Sequence, residues 1–264
     1  VSLDPTPTSD DPSASHRARF SLRRLRTQAS EGFSGLVRTV GLPEDITAVI
    51  GDAIKDLGRA TASRGGSRSP IKATRAVVNR ALDRTAGTCV TSRLSIESSD
   101  ELERRSKQTR KRVAAGGGRL LRWLAAAGVA TAVGTDGLSL PAVVALDVVL
   151  GQVLSMIEGI SEWYLVGVYT AWLLRQSGIE PDPRTLRRIV DAALLSRGGR
   201  SLDGTILDPT AERRLVTRWI WSGTLDALPG LSFLGGRSVH HAAHCLERTD
   251  LVELHRRIVS ERAD

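Results

Sequence analysis

One run limits the choice of fold more than any other: LPAVVALDVVLGQVLSMIEGISEWYLVGVYTAWLLRQSG, from Leu140 to Gly178. It is far too long for a strand, carries Pro at its second position and meets no strong helix breaker before Gly178. Proline is tolerated in a first helical turn, and glycine commonly follows a last one. The run therefore predicts one long helix, opened by Pro141 and reaching Arg175. Sustained period-two alternation is almost absent from the chain, so the expected fold is all-α, a multi-helix bundle around this long apolar helix.

The other segments fit that class. Residues 1–30 are first rich in Pro, Ser, Thr and Asp, then in Arg from Arg17 to Arg26. Too few apolar side chains stand there to offset the entropy of ordering, which predicts a disordered tail with a basic end before a helical domain over 31–264. Leu42, Ile46, Val49, Ile50, Ile54 and Leu57 have helical spacing after Pro43. ATASRGGSRSP, over 60–70, reads as a flexible break. Ile71 to Cys89 is again helical in spacing. Ser98 to Arg112 starts acidic and ends basic, the polarity a helix dipole favours, and reads as a polar helix or an exposed linker. Gly116, Gly117 and Gly118 then predict a hinge or a fresh helix start, with Leu120 to Val133 as a separate helix and a turn at 134–137. Pro183 opens a helix that Gly198 and Gly199 close. Glu212 to Leu228 should be helical and holds Trp219 and Trp221. Ser238 to Glu261 makes one or two closing helices, with a break expected at Thr249-Asp250.

Charge and cysteine narrow the class further. The net charge is +8, and 33 of the 37 basic residues are Arg. Guanidinium binds phosphate bidentately and suits nucleic acid or anionic lipid, although GC-rich coding imposes the same bias on any protein. Two cysteines, Cys89 and Cys245, exclude a disulfide scaffold. No apolar h-region with a small-residue cleavage site opens the chain, so a secretory signal is not expected.

Leu138 to Met156 is the best membrane-spanning candidate, near the minimum length. Asp147 at its centre costs roughly 3 kcal/mol, which about cancels the gain from its apolar residues. A buried core helix is the reading preferred, and whether the segment crosses or touches a bilayer stays open. Gly151, Ser155 and Gly159 recur every four residues, a stripe that admits a close helix neighbour. Asp147, Glu158 and Glu162 share a face. A helix with carboxylates along one stripe is not a simple lipid-facing span.

LLRWLAAAGVATAVG, LPAVVALDVVLGQVLSMIEGIS, SGIEPDPRTLRRIVDAALL and the closing LPGLSFLGGRSVHHAAHCLER together resemble the EcsC family of bacterial helical proteins, over roughly Ile71 to Arg248. Glu158 and Glu162 depart from that family's usual Arg and Ile-Ala pattern in the central helix. The resemblance implies a helical, membrane-associated bacterial protein of undefined activity, cytoplasmic and peripheral or integral at the inner membrane.

Three clusters carry candidate chemistry. His240 with His244, and His241 with Cys245, stand at i, i+4 in SVHHAAHCLE, a spacing that lets adjacent side chains grip zinc. A full site needs further ligands, for which the Asp147, Glu158 and Glu162 face is the nominee. This cluster defines the alternative function, a metal-dependent hydrolase-like enzyme. The acidic stripe itself could do acid–base work if buried, although Arg on a facing helix is its commoner fate. Arg104, Arg105, Lys107, Arg110, Lys111 and Arg112 form the densest basic run, suited to an anionic membrane surface at roughly 1 kcal/mol per cation. No helix-turn-helix, RNP or interleaved aromatic pattern supports nucleic acid as the partner, and no P-loop, GxSxG or Rossmann fingerprint is present. The primary expectation is a membrane-associated interaction protein, its partner an anionic surface or a membrane protein.

Overall fold

The computed structural model describes residues 35, 38, 40–62, 70–134, 140–196, 202, 210, 214–217 and 235–261; for 58, 60–62, 70–73, 119–134, 140–152 and 235–238 the backbone alone is described. Among them every regular element is helical, so the protein is all-α. The helices are α1 (Glu44–Ala62), α2 (Pro70–Thr91), α3 (Ser99–Gly134), α4 (Leu140–Gln176), α5 (Pro183–Leu195), α6 (Gly235–Glu247) and α7 (Leu251–Ser260). Residues 1–30 lie outside the description, as do Trp219 and Trp221; of the helix expected over 212–228, residues 214–217 are described and helical.

Local chemistry sets most of the boundaries. Pro43 stands just before α1 and its carbonyl accepts from Thr47 N–H at 3.0 Å. The α4 run ends where Gly178 takes φ +76°, a left-handed conformation cheap for glycine alone. There Ile179 N–H bonds back to Leu174 O at 2.9 Å and satisfies a carbonyl the helix leaves open. Asp182 caps α5, its Oδ1 accepting from Arg184 and Thr185 N–H at 3.0 Å, with Pro183 in the first turn. Asp250 caps α7 in the same way, which places the break between the closing helices where Thr249-Asp250 predicts it.

Of the two readings of Ser98–Arg112, the helix holds. One expectation is corrected: Gly116–Gly118 breaks nothing, and α3 runs unbroken through both stretches, over 36 residues. The bundle therefore has two long helices, α4 being 37 residues. Packing outweighs propensity at this point, because Gly116 and Gly117 are buried and Leu154 of α4 packs directly on Gly117.

α1 contributes a face at the spacing its sequence predicts, and the polar first half of α3 contributes one that was not predicted. Ile46, Ile50, Ala53 and Leu57 of α1 are buried, as are Leu102, Ser106, Thr109 and Val113 of α3. Fully burying an Ile or Leu stabilises by roughly 1.5–3 kcal/mol. From Val153 to Leu174, α4 is buried nearly all round, and it touches each of the six other described helices. Gly167 lets α2 approach, since a Cβ there would stand 2.7 Å from Cys89 Sγ.

Candidate functional site

The basic run lies on the first half of α3, and its members divide into two groups. Arg105 pairs with Glu101 at 2.8 Å, one turn earlier, and that hydrogen bond holds the Glu101 carboxyl below its usual range. Arg110 reaches across to Glu162 of α4 at 3.1 Å and donates to Ser106 Oγ. Arg112 donates to Val40 O at 3.1 Å and lies against Gly41, whose φ of +73° turns the chain into α1. Arg110 and Arg112 tie α3 to other parts of the chain, while Arg105 is held within its own helix. Arg104, Lys107 and Lys111, at i, i+3 and i+7, instead form an exposed stripe. Lys107 makes a loose 3.4 Å contact with Glu103 while staying 67% exposed. No ion pair among the described residues engages Arg104 or Lys111. Asp100 begins the same face, in the first turn, where the helix dipole favours an anion.

The acidic stripe is placed in part. Glu162 is 9% exposed and neutralised by Arg110, the commoner fate of such a carboxylate. Glu158 is half-buried, and the side chain of Asp147 lies outside the described residues. Gly159 is buried and Ser155 half-buried, and the burial of Gly151 lies outside the described residues.

The histidines meet a different acid from the one nominated. His240 Nδ1 bonds to Glu103 Oε1 of α3, and this bond, more than the nearby Lys107, holds the Glu103 carboxyl below its usual range. The rings of His241 and His244 stand 5.8 and 6.3 Å from that of His240, both residues exposed. Cys245 turns toward α5, its Sγ 3.4 Å from Ser196 Oγ. Among the described residues no three His, Cys, Asp or Glu side chains converge as metal ligands.

The densest polar cluster, running from buried Asp191 out to exposed Asp83, was not anticipated. Arg187 of α5 binds the side chain of Asp83, the carbonyl and side chain of Asn79, and Asp191 one turn on. Asp191 also accepts from Trp163 Nε1 at 2.6 Å. The cluster ties α2, α4 and α5 together, and Trp163 and Asp191 are buried at 0% and 4%. Its one trace in the sequence is the i, i+4 Arg–Asp pair in RRIVDAA. Every group is satisfied internally, which marks a brace rather than a reactive site.

No helix among the described residues is long and apolar enough to cross a membrane. Comparison with models of known protein families, with curated proteins and with solved structures finds no match.

Proposed function

We propose that this chain is a bacterial helical interaction protein that docks peripherally on an anionic membrane surface through Arg104, Lys107 and Lys111, in keeping with its EcsC-like sequence features. One observation carries the reading. In the first half of α3, where Arg105, Arg110 and Arg112 each have a partner, these three remain exposed on one face. Three cations near anionic headgroups contribute on the order of 3 kcal/mol, or roughly 150-fold in affinity at low salt. In this reading α4 is the axis of the bundle and α3 presents the docking face. The zinc-dependent hydrolase alternative draws no support from the geometry, with Cys245 turned to Ser196 and His240 engaged by Glu103.

The test is flotation of the full chain with vesicles of phosphatidylcholine alone or mixed with phosphatidylserine. Binding is expected to the mixed vesicles at low salt, to weaken in high salt as screening shortens the field, and to be lost in R104E/K107E/K111E. Equal flotation of the charge-reversed variant overturns the reading.

A further inference from the structure

Helix α6 packs through Val239, Ala242, Ala243 and Leu246, all buried, and turns His240, His241 and His244 to solvent. Three of the chain's five histidines thus stand within five residues, on positions the core does not use. The rings of His241 and His244 lie 5.8 and 6.3 Å from that of His240. Histidine is the one side chain whose ordinary charge change falls between about pH 5 and 8.

The cluster adjoins the docking face through a single acid. Glu103 bonds to His240 Nδ1 and also meets Lys107 Nζ at 3.4 Å. Glu103, Lys107 and Lys111 follow at i, i+4 and i+8 along one ridge of α3, and α6 touches that ridge at His240. An ionised carboxylate only accepts, so Nδ1 carries the hydrogen in that bond and Nε2 is the nitrogen that takes a further proton. The His240 side chain is 57% exposed, so the proton arrives from water and the bond stays in place. Protonation therefore adds charge without rearrangement. It also sets two cations against the one charge of Glu103, which frees Lys107 for an external anion. The other elements packed on α6 meet it at different groups: Tyr169 of α4 bonds to Glu247, and Ser196, at the end of α5, meets Cys245. On α6 itself, exposed Arg248 follows His244 by one turn and adds a permanent cation.

We infer that His240, His241 and His244 are a proton-dependent extension of the docking face, which joins Lys107 and Lys111 across Glu103 when an anionic surface or acid charges the rings. The inference rests on the proposed surface role and states how that role responds to pH. A surface potential of roughly −30 mV concentrates protons about three-fold at the interface, so approach to the bilayer itself favours the charged rings. Each added cation is worth about five-fold in affinity.

The test is flotation of the full chain with phosphatidylcholine vesicles, alone or mixed with phosphatidylglycerol, whose phosphodiester keeps its charge over the range used. At low salt, affinity for the mixed vesicles should rise at least about ten-fold between about pH 7.5 and about pH 5.5, with no such rise on phosphatidylcholine alone. H240Q/H241Q/H244Q, at three exposed positions, should shrink the rise to about two-fold or less. H240K/H241K/H244K should bind at about pH 7.5 as tightly as the parent chain does at about pH 5.5. E103Q should bind several-fold tighter than the parent in neutral buffer, and no gain there overturns the part given to Glu103. A parent chain that floats equally at both pH values, or a glutamine variant that keeps the full rise, overturns the extension and leaves the Arg104, Lys107 and Lys111 reading standing. A parent chain that floats at neither pH overturns that reading and the extension with it.

Discussion

Arg110 and Glu162 meet at 3.1 Å between α3 and α4, joining the basic run of one helix to the acidic stripe of the other. Two features that read in the sequence as separate candidate sites are one internal brace. Removing either partner leaves a charge behind, and the two halves differ in access to water: Arg110 is 25% exposed and Glu162 9%. R110M should therefore cost about 3–5 kcal/mol and E162Q about 2–3. R110M/E162M, which removes both charges, should recover most of the loss. Urea denaturation checks this; additive losses in the double variant would show that the pair is not coupled.

Gly167→Ala should destabilise by about 1–3 kcal/mol, since its methyl group would stand 2.7 Å from Cys89 Sγ and 3.2 Å from the Trp163 ring. Adding Cys89→Ala removes the nearest atom and should restore part of the lost melting temperature. A Tm that does not recover in the double variant would put the clash at Trp163 instead.

Both tyrosines of the chain are buried on α4. Burial pushes the Tyr164 phenol up to about 12 against the pull of its Ser92 partner, and burial followed by the bond to Glu247 raises Tyr169 as well. The folded state thus favours the protonated phenols, while the unfolded chain releases their protons near pH 10. Their contribution to stability is complete below about pH 10 and is lost as pH climbs toward 12. Phenolate absorbance should stay flat to about pH 10.5 in buffer and rise near pH 10 in urea. A native transition near 10 would contradict the burial of both rings.

Asp191→Asn should cost about 2–4 kcal/mol, because it removes the anion that both Trp163 Nε1 and Arg187 address. Trp163→Phe should cost less on the hydrogen-bond side, since Asp191 keeps Arg187 as its partner. Equilibrium unfolding followed by far-ultraviolet circular dichroism measures both, and a neutral D191N would demote the cluster from brace to ornament.

Helix class and most boundaries were legible in the sequence because Pro43, Pro183, Gly178 and Asp250 act through local backbone chemistry. Gly116–Gly118 misled because propensity is a local quantity, and the helix is kept whole by a residue on another element, Leu154. Of the basic run, spacing alone could set Arg104, Lys107 and Lys111 on one face. It could not tell that Arg110 and Arg112 are spent on Glu162 and Val40, since those partners come from distant parts of the chain. The Arg187 cluster was hidden for the same reason: Asn79, Asp83, Trp163 and Asp191 are drawn from three helices and only fold-level geometry gathers them.

The contact of α4 with the six other described helices also orders events on the ribosome. Helices α1, α2 and α3 are synthesised first, and α1 and α2 can pair early, yet all three bear apolar faces that close against α4. Until the stretch up to Gln176 has emerged, the nascent chain carries those faces uncovered and open to self-association. Slower translation through the α4 codons lengthens that interval, and chaperone access during it should raise the yield of native protein.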